Sequence, residues 1–468
     1  MQIKENFGIY FKFILIILLG SMLLITPIDA KKVHKKKKKH RSSRVVKINI
    51  SQFKILKQKD FDNGLNYKEL LLGNGKQWFK IHLAEIDLNS DNISVFVGKS
   101  GNNFNTLESL PSYFNNHNLN NSDSFYIAVN ANFWKAYTNS PIGPTIIDGE
   151  IIENSQHKNW SSLLFDNNFK PYINNYNIKG VILYNNLQIG IDYVNRRKDS
   201  LGISYYNHYA GDTIPYVQNK ILGKALDSAY SQWRQELQDM DENEDYTELQ
   251  FDTTSFINNF IAIEREKQIE KYTPKILVKL IDEPAINTKY RGVITKFSKD
   301  VIECPQGSFV LSFGNNFPIN MLPFVGDTLS VLFQTNEDKD IQFKNGISGT
   351  PRIARNGIAQ NESAKEGNRG KRFNYSQLPR TVVGFNKDKT KFYIFTVEGT
   401  NSKVKQYGAS LNDLVNIVKF LKIYNAMNLD GGGSSTFVFE GKNVMRNYDP
   451  SSSRKLSVIL GVKKNINK

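Results

Sequence analysis

The stretch NAMNLDGGGSSTFVFEGKNV, residues 425–444, places Asp430, three glycines and two serines between runs that read as strand. A hairpin needs about two turn residues, so this surplus points to a site rather than a turn. Gly431, Gly432 and Gly433 clear every side chain from beside the Asp430 carboxylate. Glycine costs backbone entropy, so three together need a reason. They permit positive φ and close approach of a ligand to the main chain, and successive N–H groups in such a loop can converge on an anion. Ser434 and Ser435 add two hydroxyls. No Lys follows the serines, so a Walker loop is a poor fit, and the spacing fails the G-x-S-x-G nucleophile elbow. A carboxylate in an amide-lined, hydroxyl-bearing loop suits sugar or phosphate chemistry.

The elements around it must hold it still. Residues 408–426 carry Leu411, Leu414, Val415, Val418 and Leu421 on one helical face, with Ser410 as N-cap and Asp413 three residues on. The segments 380–385 and 391–397 read as a strand pair joined by NKDKT. Upstream, 77–88, 92–98 and 124–134 alternate as strands, and Asp148-Gly149 between TII and EII predicts a tight hairpin. The middle differs: Leu222, Leu226, Tyr230, Trp233 and Leu237 recur at spacings of three and four, and the acidic run DMDENEDYTE separates them from a second helical piece. The expected fold class is α+β: a mixed, mostly antiparallel β-sheet core with packed helices, plus a helical insertion. The body is expected at 45–465, with a partly helical insertion at about 200–300.

The run NLDGGGSS (428–435) resembles the signature of the phosphodiester glycosidase family, and other segments resemble that family in order. These are AVNANFW (128–134), GPTIIDGEII (143–152), GTPRIARNG (349–357), PRTVVGF (379–385), VEGT (397–400), the 408–418 helix and SRKLSVILGV (453–462). Two departures stand out: Ala131 and Asn132 where glycines are common, and Glu398-Gly399 where Asp-Gly is frequent. The resemblance implies an exported hydrolase that cleaves a sugar joined through C1 to a phosphodiester, or a related glycosidic bond in a glycan. On the matching positions, Asp430 and Glu398 become the carboxylate pair and Arg380 the anion clamp, with Arg352 a weaker second clamp. Asn130 and Asn132 are expected to bind sugar hydroxyls. Thr381, Ser434 and Ser435 would orient ligand oxygens over Gly431, Gly432 and Gly433. A competing reading keeps the pocket and drops the chemistry, giving a non-catalytic protein that binds glycan or cell envelope.

The N-terminus gives the address. A basic start, the apolar run FILIILLGSMLLI and Ala30 predict a secretory signal peptide over 1–30, or an uncleaved anchor. Residues 31–44 hold seven Lys and two Arg, +9 of a formal +16, and read as a solvated linker. The partner expected for the chain is a carbohydrate or sugar-phosphate substrate; if the Lys-rich segment has a partner beyond solvent, it is an anionic envelope surface, and no nucleic acid is expected. The chain is therefore placed as exported: periplasmic, secreted or surface-associated. The single cysteine, Cys304, rules out an intrachain disulfide, and six scattered His argue against a His-based metal site. No cofactor is expected; Asp and Asn oxygens could accept a divalent cation such as calcium, without EF-hand-like spacing.

Overall fold

A computed structural model describes residues 47–61, 64–101, 103–117, 125–135, 138–215, 222–238, 253–445 and 454–465. The expected leader, the basic linker and the acidic run at 239–248 lie outside these residues. Alternation with a period of two dominates the described chain. Four larger sheets carry most of it, and the protein is predominantly β, 44% strand against 16% helix, rather than an even α+β mix.

The sheet that bears on function has eight strands. Its order is Gln52–Phe61, Leu65–Gly73, Trp78–Asp87, Lys391–Val397, Arg380–Phe385, Asn425–Asn428, Arg352–Arg355 and Ile358–Ala359, antiparallel throughout. Both of its faces are covered, so its central strands are buried on alternate residues in two directions. Phe79, Ile81, Val382, Phe395 and Val397 face the helix Leu411–Phe420. Tyr67, Ala84, Val383, Ile394 and Met427 face the opposite way, toward Ile127, Val129, Phe437, Val458 and Leu460 of a five-stranded sheet. That second sheet runs Lys442–Asn443, Phe437–Phe439, Phe125–Asn130, Val458–Lys464 and Ile93–Lys99. The helix forms where expected. Ser410 accepts from the Asp413 N–H and Asp413 answers to the Ser410 N–H, closing a capping box. Leu411, Leu414, Ile417 and Val418 are buried, each contributing about 1.5–3 kcal/mol of burial free energy.

A further five-stranded sheet contains the 145–153 hairpin, with Asp148 and Gly149 both at positive φ as a two-residue turn requires. The region at about 200–300, expected as a partly helical insertion, holds helices and strands side by side. Residues 178–335 build an eight-stranded sheet around Tyr205, Tyr290, Phe309 and Phe333. Two helices, Leu222–Gln238 and Thr253–Lys271, lie on the connection into its strand Lys275–Leu280. The helical spacing was real, but short apolar runs such as 275–280 carry no periodicity that separates strand from helix. Among the described residues no helix is long and apolar enough to cross a membrane.

Candidate active site

The strand Asn425–Asn428 ends where its neighbour Arg380–Phe385 begins, so residues 429–432 run along 379–381. The Leu429 N–H donates to the Thr381 carbonyl at 2.8 Å and the Gly432 N–H to the Pro379 carbonyl at 2.9 Å. Asp430 is half-buried at this edge, and its Oδ1 accepts from the Gly431 N–H at 2.9 Å. Gly432 sits at φ +61 with open space where a side chain would begin, and Gly432–Ser434 form one 3-10 turn. The loop is not an open nest. The N–H groups of Gly431, Gly432, Ser434, Ser435 and Thr436 are all bonded within the protein.

Asn130, at the end of its strand, ties this loop down. Its Nδ2 donates to the Asp430 carbonyl at 2.6 Å, while its Oδ1 accepts from Thr381 Oγ1 at 2.7 Å and from the Thr436 N–H at 3.1 Å. Three segments distant in sequence thus meet on one buried amide. Asn132 is equally occupied. It donates to Thr145 Oγ1 at 2.9 Å and the Ile142 carbonyl at 3.3 Å, and accepts from the Ser348 N–H at 3.2 Å. Both amides hold the frame of the site with the bonds that were expected to go to sugar.

Glu398 lies one row further along the same sheet, about two strand spacings, roughly 10 Å, from Gly431. Alternation puts it with Thr381, Thr396, Lys80 and His82 on the face opposite Arg380. It is fully buried. Oε1 accepts from His82 Nε2 at 2.8 Å and Lys80 Nζ at 3.0 Å, and Oε2 from Gln406 Nε2 at 3.0 Å. His82 Nδ1 in turn meets Tyr67 Oη at 2.9 Å. Burial alone would push the Glu398 carboxyl up; the bonds from His82, Lys80 and Gln406 outweigh it and hold it below the usual range. The Tyr67 hydroxyl is pushed far up, by burial first and then by Glu69 and Glu398. Lys80 and His82 escaped sequence reasoning; a Lys and a His two apart on a strand with buried neighbours was the available signal.

Arg380 points toward the helix side. Its Nε donates to the Ala409 carbonyl at 2.9 Å, and its Nη2 to those of Phe373 at 2.9 Å and Ser376 at 3.2 Å. Its stem passes close to Gly431, where a Cβ would lie 3.6 Å from Arg380 Cδ. Arg352 is placed away from the loop and is bound to the carbonyls of Ala354 and Ile173 and to Asn425 Oδ1. Thr381 and Ser434 are buried; Ser435 Oγ, Thr396 Oγ1 and Asn428 Oδ1 are buried without a hydrogen-bond partner. Such atoms in a native interior need a water or a ligand to satisfy them. Among the described residues no group of three His, Cys, Asp or Glu is gathered for a metal.

The order of these segments and their convergence on Asp430 can be set beside known proteins. Residues 287–463 match the phosphodiester glycosidase family. Over that stretch the chain resembles a phosphodiester glycosidase domain. The motifs at 128–134 and 143–152 lie outside the matched stretch, yet Asn130 reaches into it through Asp430 and Thr436. Across the fold, a crystal structure of a hypothetical protein from Synechocystis is similar over 88% of this chain and 64% of that one, with TM-score 0.58 and 16% identity. The chain thus spans less than two thirds of that protein. A candidate exported protein from Burkholderia pseudomallei is similar over 82% and 74%, with TM-score 0.51 and 13% identity. The zebrafish N-acetylglucosamine-1-phosphodiester alpha-N-acetylglucosaminidase catalytic domain, auto-inhibited by its pro-peptide, aligns at TM-score 0.37 and 15% identity over 91% and 85%. No curated protein matches the chain.

Proposed function

We propose that the chain is an exported hydrolase that cleaves the bond between a sugar C1 and a phosphodiester, or a related glycosidic bond in a glycan. What supports this most is the Asn130 knot, which fixes the half-buried Asp430 beside the open face of Gly432 in a stretch that resembles a phosphodiester glycosidase domain. The reaction asks little of an acid. When the C1–O bond breaks, its electrons pass to a phosphate oxygen, which is a far better leaving group than an alkoxide. Water adds at C1, and Asp430 takes its proton. Glu398, ionised and sealed by His82, Lys80 and Gln406, acts from one row behind. Its fixed negative charge stabilises the positive charge that develops at C1. Arg380 shapes the floor by holding the carbonyls of 373, 376 and 409.

A second reading has its own observation. Glu398, Asn130, Asn132 and Arg380 bond to protein groups, so Asp430 is the more accessible of the two carboxylates. That suits a glycan- or envelope-binding protein without turnover. The purified full chain, offered a panel of sugar-1-phosphodiesters and glycans, separates the two. Release of free sugar, lost in Asp430→Asn with binding retained, supports the hydrolase. Binding without release by the native chain supports the second reading, and turnover by Asp430→Asn removes that residue from catalysis. Localisation and the Lys-rich segment's attraction to an anionic envelope belong to the same proposal; fractionating the host cell and assaying vesicle binding after deletion of 31–44 test them.

A further inference from the structure

The two arginines expected to hold a phosphate both spend bonds on main-chain carbonyls, but another group of cations stands beside the loop that follows Asn132. Lys135 is on that loop. Arg196 and Lys198 follow the strand Tyr193–Val194, and Glu266 is on the helix Thr253–Lys271. One turn beyond Glu266 this helix is pinned: Glu270 pairs with buried Arg197, accepts from Tyr206 Oη at 2.8 Å and meets Thr273 Oγ1 at 3.0 Å. Residues four apart share a helix face, so Glu266 is held toward the same loops.

These groups feel one another. The Lys135 ammonium is destabilised first by burial and then by the like charges of Arg196 and Lys198, with Glu153 and Glu266 only partly opposing. The Glu266 carboxyl is pushed up to about 7 by burial against the pull of Arg196, Lys198 and Lys135. Glu153 is committed to Arg196 Nη2 at 3.1 Å, which also donates to Ser155 Oγ at 2.8 Å. Neither Lys135 nor Lys198 is in an ion pair among the described residues. Two donors are left over. Arg196 Nε is buried without a partner, and so is the indole N–H of Trp160, a residue only 8% exposed. A buried N–H without an acceptor costs about 1–3 kcal/mol, more when charged, so an acceptor is expected there. Trp160 meets the loop that carries Lys135 through Phe133, two residues before it, and from Phe133 an aromatic row runs on to Arg380. The Arg380 guanidinium lies 5.6 Å from the Phe373 ring, Phe373 meets Phe133 at 6.2 Å, and Phe133 meets Trp160 at 5.2 Å.

We propose that Lys135, Arg196 and Lys198, with the Trp160 indole N–H, form a seat for a phosphate ester, the anionic arm of the substrate processed at Asp430. This rests on the hydrolase reading for the identity of the arm. The donor set stands by itself: a guanidinium edge and an indole give directed bonds, and two ammonium groups give charge. Glu153 and Glu266 are the carboxylates that face it. Glu153 is bridged to Arg196 and Ser155 through Oε1 while its Oε2 is buried without a partner, and Glu266 becomes neutral on protonation.

The test is calorimetric titration of the full chain with inorganic phosphate, dimethyl phosphate and glucose 1-phosphate. It compares the native protein with Arg196→Gln, the double variant Lys135→Gln/Lys198→Gln, and Lys391→Gln as a distant surface control. A saturable site is expected, weakened about tenfold to a hundredfold by Arg196→Gln and by the double variant, and unchanged by Lys391→Gln. Circular dichroism checks folding; Lys198 is exposed, so the double variant keeps the test valid if Arg196→Gln does not fold. Absence of saturable binding to the native chain, equal binding by all variants, or an equal loss in Lys391→Gln overturns the seat. Binding with the expected dependence but no hydrolysis of any diester leaves the seat and removes the hydrolase. Hydrolysis whose KM and phosphate inhibition ignore both cluster variants does the reverse.

Discussion

Asn130→Ala isolates what the buried amide does. The substitution removes three hydrogen bonds, to the Asp430 carbonyl, Thr381 Oγ1 and the Thr436 N–H. At a net 0.5–1.5 kcal/mol each, they amount to about 1.5–4.5 kcal/mol. The Thr436 N–H is then stranded on a buried residue, which adds about 1–3 kcal/mol and places the expected loss near 4 kcal/mol. Thr381→Val removes one of the three bonds and should cost about 1 kcal/mol. Because the two side chains share a bond, the double variant should fall short of the sum by about 0.5–1.5 kcal/mol. Urea unfolding followed by fluorescence and circular dichroism measures all three variants. If Asn130→Ala lies within about 0.5 kcal/mol of the native protein, or the cycle is additive, the amide is not a clamp and remains free to be a ligand group.

Glu398→Gln should destabilise the protein at neutral pH, where the native carboxylate is ionised. The Glu398 carboxyl is held below its unfolded value, so its stabilisation is complete above about pH 4.3 and fades as pH falls through the lower folded value. Melting curves from pH 7 to 3 should therefore converge at the acid end; a constant gap would contradict the assignment. Glu266 has the opposite sign: its folded pKa is raised to about 7, so stability is lost as pH rises from about 4.5 through 7. Glu266→Gln should flatten the melting temperature between pH 5 and 8, and an unchanged slope would count against a buried carboxyl there. Gly432→Ala, at φ +61 with open space around it, should cost only backbone strain, about 1 kcal/mol, with Gly432→Asn costing less. A loss of several kcal/mol in the same urea assay would mean that the loop is packed.

Local features were legible in the sequence because local chemistry sets them. The Ser410–Asp413 cap, the Asp148-Gly149 turn and the strand pair around NKDKT all depend on residues within a few positions of one another. The glycine loop announced itself for the same reason, since three glycines beside a carboxylate have few bland explanations. What stayed hidden depends on alignment between strands far apart in the chain. Nothing near Asn130 says that its amide meets residues 381, 430 and 436, and nothing near Glu398 points to His82. Arg380 was read as a fork for anions, and chain parity instead turns it toward the helix side. At about 200–300 the spacing of Leu222, Leu226 and Tyr230 announced the first helix, while the sheet that the neighbouring strands join stayed hidden because short runs such as 275–280 carry almost no periodicity.

The matched stretch 287–463 is not a module that can be lifted out. Tyr290–Ser298 pairs with Lys275–Leu280, and Thr328–Thr335 with Ile178–Tyr184. Lys391–Val397 leans on Trp78–Asp87, and Val458–Lys464 is flanked on both sides by strands from the first third of the chain. A fragment starting at 287 would bare several raw sheet edges at once, the kind of surface that recruits further copies and precipitates. Grafting between relatives must therefore carry both halves together, because the wall behind Asp430 is woven from threads that enter before residue 131.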